Sequence, residues 1–419
     1  MNMRGELPFW RSIGYVAWFT ADTASAIGLA LRALAISLLG YALSGSTVAA
    51  GWMGSLSMIA QQGMSVFGGT FVDRHDRRAA IVANSVTGTL AWGIVGILLS
   101  VGRLSFPVLL AISVIASGVN GFLGSATDAM LRSIIDVRDY PQARSLNEGR
   151  DATINMMGNP IGGFLYSVRP WLPFLIAACA YAMAGASAMV IRKREDQTGE
   201  PADGRPSKSG GSFFQDLIGG WSWFLHKRML VVVVVAASLT NFGVNGIQYA
   251  IQLHLVSAGT NATLIGLISA GISLAMLVGS ALAGKFGGEL PVGTTVCVAF
   301  VFMCVCVTPM MLTDDYRAIL IANSLMGLPF PVINALLLGF VFAKSPQDMQ
   351  GRITVTLTVP AQTLSAFCGA AAGTLLPVLG FPHTVLVFSL TILASTLIVA
   401  CSSPIRRIPR AGRWGETRL

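Results

Sequence analysis

The chain has 419 residues, 53% hydrophobic and only 11% charged, with a formal net charge of +9 and a mean hydropathy of +0.67. Soluble chains carry roughly 25% charged residues, so the composition excludes a soluble multidomain protein and indicates a polytopic membrane protein. The apolar stretch after Arg11 is too long for the core of a secretory leader. The six cysteines lie in apolar runs without a CxxC pair or a His/Cys cluster, and read as small buried hydrophobes.

A membrane-crossing helix needs ~20 mostly apolar residues. On that measure the spans fall at 13–43, 47–71, 79–100, 106–131, 150–167, 171–191, 229–253, 261–284, 291–312, 317–343, 353–378 and 384–402, twelve in all. Of the 28 Arg and Lys, 24 lie on the side that holds both termini. Arg103, Arg169 and Arg317 lie on the other side, and Arg32 lies within a span. The positive-inside rule makes the richer side cytoplasmic, so the charge reports topology rather than nucleic-acid binding.

Span one holds the two ionisable residues that lie well inside the membrane, Asp22 and Arg32. A charge at the bilayer centre costs ~2.5–3.5 kcal/mol, so each is a functional candidate by default. Asp22 is the candidate proton-coupling or cation-recognising carboxylate, set against a structural hydrogen bond to a neighbouring helix. Arg32 is either an anchor for an anionic group of the substrate or a side chain that snorkels outward. Ten residues separate them, ~15 Å along a helix, so each needs another partner. Trp18 and Phe19 could stack on a flat substrate or simply pack.

The loop between spans two and three reads Gly69-Thr-Phe-Val-Asp73-Arg74-His75-Asp76-Arg77-Arg78. At the corresponding place in the second half, Gly279 to Lys285 is a worn copy without the Asp and the Arg pair. A second echo, at a spacing of seven, pairs Gly121 and Asp128-Ala129 with Gly327 and Asn334-Ala335. Span five carries Gly149 and then Gly158-Asn159-Pro160-Ile161-Gly162-Gly163. Residues 192–228 are the one long polar segment and divide the spans into six and six. Within them Phe213, Phe214, Leu217, Ile218, Trp221, Phe224 and Leu225 recur at helical spacing, as an interfacial helix or as a linker running into span seven. Span seven places Asn241, Asn245, Gln248 and Gln252 on one stripe about 60° wide, expected to face the bundle interior as a substrate site or as interhelical hydrogen bonds. Asn323 and Asn334 of span ten share a phase, and Asn120, Gln61, Gln62 and Gln362 are further polar candidates.

The loop from Gly69 to Arg78 resembles the signature loop of the major facilitator superfamily, roughly GxxxDRxGRR, with Asp76 where the family usually has Gly. With the span count and the central linker, the resemblance covers the whole chain. It implies an all-α membrane fold of two pseudo-symmetric six-helix bundles, here 1–191 and 229–402, joined by 192–228 and followed by a tail at 403–419. It also implies a conformational latch. Asp73 would meet the N-terminus of span eleven, and Arg77, beside Arg74, would bridge toward Asp128 at the end of span four. The plainer alternative makes these arginines positive-inside anchors.

The Gly149–Gly163 stretch is similar to the Gly/Pro motif of superfamily exporters, in which helices five and eight approach closely. Phe9-Trp10-Arg11, Asp22, the charged loop and the Asn147–Gly163 stretch together look like the branch of enterobactin-type siderophore and macrolide exporters. Span four lacks the Arg of many drug–proton antiporters. No nucleotide-binding, hydrolase or metalloprotease motif is present, so neither an enzyme nor a cofactor is implied, and a proton gradient is the expected energy source. The expected activity is proton-coupled export of amphipathic or drug-like molecules by a monomer in a bacterial cytoplasmic membrane, with the lipid bilayer and the small-molecule substrate as partners and no nucleic acid. Uptake of a small polar or anionic solute is the alternative, followed by a transport-inactive receptor or assembly subunit.

Overall fold

The computed structural model describes residues 9–136, 139–191, 227–344, 360–410 and 412–413. Within them the side chains of Phe9, Thr70, Asp73, Arg132, Pro141, Arg228 and Phe342 lie outside the description, as do the linker segment expected to form an interfacial helix and most of the tail. No strand occurs among the described residues. The helices are α1 (Ile13–Ser44), α2 (Thr47–Arg74), α3 (Arg77–Ser100), α4 (Phe106–Leu123), α5 (Ser125–Ile134), α6 (Tyr140–Val168) and α7 (Leu172–Val190). They continue with α8 (Arg228–Ser257), α9 (Ala262–Phe286), α10 (Val292–Leu312), α11 (Tyr316–Gly327), α12 (Pro329–Ile333), a π-helical turn at Asn334–Leu338, α13 (Gly339–Lys344), α14 (Cys368–Cys401) and α15 (Ser403–Arg406).

Local chemistry sets the helix ends. Ser12 Oγ accepts from the Tyr15 amide at 3.2 Å to start α1, and Asp315 Oδ2 accepts from the Arg317 and Ala318 amides to start α11. Asp76, the residue that departs from the signature loop, caps α3 by accepting from the Arg78 amide at 3.0 Å. An acidic cap suits the positive end of a helix, which gives this departure a local purpose.

Nine helical stretches among the described residues are long and apolar enough to cross a membrane. One of them, Pro360–Cys401, breaks at Gly380, whose φ of 76° and ψ of 170° only glycine adopts readily. It is two rods meeting between Pro377 and Pro382, where the sequence places the junction of spans eleven and twelve. α2 and α6 have 28 and 29 residues but are more polar. α6 starts at Tyr140, ahead of the apolar stretch, because hydropathy marks the hydrocarbon and not the helix. The order is consistent with twelve spans. Ile115, Val298 and Val305 remain 62–64% exposed, a surface suited to lipid.

Two compact units are present. The first comprises Met1–Ser46, Leu56–Ser207 and Thr260–Gly266. There α1 packs on α6 and α7, and α3 packs on α7, around a core that includes Tyr15, Trp18, Val72, Ile81 and Met130. The Gly motif of α6 makes its closest packing. A Cβ at Gly162 would stand 2.2 Å from the Leu31 carbonyl oxygen of α1, and one at Gly163 would stand 2.3 Å from that of Ala262 at the start of α9. The expected close approach of spans five and eight is therefore present.

The second unit comprises Thr47–Ser55, Lys208–Gly259 and Leu267–Leu419. In it α8 and α10 both pack against α14. The repeat is visible in the packing. A Cβ at Gly121 of α4 would stand 2.0 Å from the Gln61 carbonyl oxygen of α2, and one at Gly327 of α11 would stand 2.5 Å from the Ile272 side chain of α9. The same small residue makes the same kind of helix crossing in each unit.

Candidate functional site

In the first unit the site forms around Arg150, near the start of the apolar part of α6. Arg150 Nη2 donates to Asp22 Oδ2 of α1 and, at 2.7 Å, to Asp151 Oδ1. Its Nη1 donates to Thr23 Oγ1 at 3.2 Å, and its guanidinium lies 5.1 Å from the Phe19 ring centroid. The Arg150 side chain is 10% exposed and that of Asp22 25%. Two carboxylates share one guanidinium, so the cluster carries one uncompensated negative charge when all three groups are ionised. Asp22 thus has its partner, and it is not Arg32. Trp18 is packing, since it is buried and its Nε1 donates to the Thr127 carbonyl at 2.9 Å.

Arg32 is 6% exposed and lies over the Trp92 ring at 4.0 Å. Its Nε has no hydrogen bond, and no ion pair to it is present among the described residues. A cation–π contact returns about 2 kcal/mol when desolvated, less than the several kcal/mol that removing a charge from water costs. Arg32→Met, which keeps the stem and removes the charge, is therefore expected to raise thermal stability in detergent. A raised melting temperature with reduced transport would mark Arg32 as held for function. A lowered one would make the Arg32–Trp92 pair structural.

In the second unit Asn241, Thr240 and Val233 of α8, Phe300 of α10, Phe330 of α12, Asn334 and Gln362 line a cavity of about 270 Å³. Asn241 Nδ2 donates to the Ala361 carbonyl at 3.1 Å, and Asn245, which is exposed, donates to the Asn241 carbonyl at 2.8 Å. Gln248 Nε2 donates to Oδ1 of the fully buried Asn323 at 2.6 Å. The amide stripe of α8 therefore divides its work. Asn241 serves the cavity, and Gln248 ties α8 to α11. Gln252, one turn further on, is partly buried and does not line the cavity.

Comparison with known proteins fixes the family. The model of the Major Facilitator Superfamily matches residues 18–370. The chain belongs to the major facilitator superfamily. One curated relative is Multidrug resistance protein 1 of Bacillus subtilis (strain 168), 30% identical over 156 residues. That stretch spans 37% of this chain and 38% of the relative. Among solved structures, nucleoside transporter NupG aligns with a TM-score of 0.65 at 12% identity, covering 92% of this chain and 98% of its own. A single-residue variant of NupG gives 0.66 at 11% identity, covering 92% and 99%. These likenesses share the fold.

The arginines of the loop from Gly69 to Arg78 can be placed individually. Arg77 Nη1 donates to the Ala129 carbonyl at 3.0 Å, next door to Asp128. The Asp128 carboxylate instead pairs with Arg144 at 2.9 Å, and Arg144 also reaches Glu148 at 3.2 Å. Those pairs are exposed and worth ~1 kcal/mol or less. Arg78 donates to the Met189 carbonyl and Arg74 is exposed, while the side chain of Asp73 lies outside the described residues. Asn120 Oδ1 accepts from Gln61 Nε2 at 3.3 Å across α4 and α2. Sequence reasoning missed Arg150, which it counted with the loop cations. The available signal was its place at the first residue of an apolar span.

Proposed function

We propose that the chain is a proton-coupled exporter of amphipathic or drug-like organic molecules, working by alternating access from a bacterial cytoplasmic membrane with both termini inside. Asp22 is the coupling carboxylate in this reading. The observation that carries it is the Asp22–Arg150–Asp151 cluster, in which Arg150 and Asp22 are mostly shielded, Asp151 is 46% exposed, and the three groups are one cation short of neutrality. A proton or a cationic group of the substrate would each complete its charge, and the two would exclude one another, which is the thermodynamic core of antiport. The partial likeness to Multidrug resistance protein 1 supports the export direction. Asp73, Arg74, Arg77 and Asp128 act in this reading as the latch that loosens when the cycle turns.

The test is ΔpH-driven efflux in everted vesicles. Asp22→Asn is expected to abolish it while the protein still reaches the membrane. Wild-type efflux from that variant would remove Asp22 from the mechanism. The second reading, uptake of a small polar or anionic solute, draws support from the unsatisfied Nε of Arg32. Accumulation assays in cells with and without the protein separate the two directions.

A further inference from the structure

We propose that the cavity of the second unit is a binding site for an uncharged one- or two-ring compound with an adjacent N–H and C=O, as in a lactam. Among the described residues its lining contains no ionisable side chain, only apolar groups with Thr240, Asn241, Asn334 and Gln362. A charged ligand would have to lose its hydration there without a counter-ion. At about 270 Å³ the cavity falls just below the roughly 300–1,000 Å³ of drug-sized sites. It therefore accepts a ring system and not a whole large amphiphile.

The polar groups define what that ring must carry. Because only an amide NH₂ can donate to a carbonyl, the Asn241–Ala361 bond fixes which atom of Asn241 is nitrogen. Its Oδ1 is then left as an acceptor with no hydrogen bond among the described residues. Asn334 makes no side-chain hydrogen bond among them, so it offers a donor and an acceptor side by side. It also begins the π-helical turn Asn334–Leu338. Such wide turns recur at functional sites because they re-aim side chains within a continuous helix. Phe300 and Phe330 supply faces for a flat ring. A lactam edge matches the Asn334 amide, which is exposed, with two hydrogen bonds, one accepted and one donated.

This inference deepens the export reading by naming the neutral end of an amphipathic substrate. It is tested by binding alone, so the two can fail separately. Equilibrium dialysis of the full purified chain uses labelled 2-quinolone, 1-methyl-2-quinolone, which lacks the N–H donor, and the cation 1-methylquinolinium. The expected order is 2-quinolone first, the N-methyl compound on the order of tenfold weaker for one lost hydrogen bond, and no saturable binding of the cation. Asn334→Leu should weaken 2-quinolone by at least about the same factor and reduce its advantage over the N-methyl compound. Equal binding of all three compounds, or saturable binding of none, overturns the proposal without any variant. Unchanged 2-quinolone binding by a monodisperse Asn334→Leu protein overturns it as well. The expected binding order without ΔpH-driven flux would leave the site standing and count against proton-coupled export.

Discussion

Arg150→Leu is expected to lose about 3 kcal/mol of folding stability, the figure for stripping one partner from a shielded ion pair, and to abolish coupled transport. The variant leaves Asp22 and Asp151 close together with no cation between them. Asp22 has 25% of its side-chain surface exposed, so the lower end of the range applies. The double variant Arg150→Leu with Asp22→Asn removes the stranded charge and should recover most of the stability but none of the coupling. Reversible unfolding in mixed micelles gives the stability, and ΔpH-driven flux gives the coupling. Two single losses that simply add would show that Asp22 and Arg150 act independently, contrary to the geometry.

Gly162→Val is expected to prevent α1 and α6 from packing and to leave little monodisperse protein after extraction. The new side chain would have to occupy space 2.2 Å from a backbone oxygen of α1, which cannot swing aside as a side-chain tip could. Overpacking typically costs 1–3 kcal/mol, occasionally more, and a backbone clash falls at the upper end. Gly162→Ala should give an intermediate yield. Gly149, earlier on the same helix, has open space where a Cβ would go. Gly149→Ala is therefore expected to be neutral or to stabilise by about 0.5–1 kcal/mol through helix propensity. Size-exclusion profiles of the three variants check the series, and a normal profile for Gly162→Val would refute the packing account.

These two sites also show how much the sequence disclosed. The Gly motif was legible because close helix approach demands small residues at fixed spacing, a local rule. The all-helical architecture and the break near Gly380 were legible because hydrocarbon thickness dictates span length. Asp22 could be singled out because a carboxylate is costly in lipid. Its partner could not, since Arg150 is 128 residues away and sits where the polar run 140–150 meets the apolar part of α6. The same limit hid the Gln248–Asn323 bond, although both amides were visible. Periodicity locates a face on one helix but does not say which facing helix answers it. The π-helical turn was illegible for another reason. Asn-Ala-Leu-Leu-Leu has no composition that distinguishes a wide turn from an ordinary one.

That turn makes helix length a variable of its own. Deleting one residue from Asn334–Leu338 would relax the turn to ordinary α geometry and re-aim the side chains of the turn that line the cavity, while Gly339–Lys344 keeps roughly its phase because a wide turn absorbs its extra residue locally. Every side chain before Asn334 would keep its place. Between homologues, a one-residue gap at this point would therefore reset what one wall of the cavity presents while leaving the rest of the helix intact. Insertion and deletion, and not only substitution, would be a route to a new substrate.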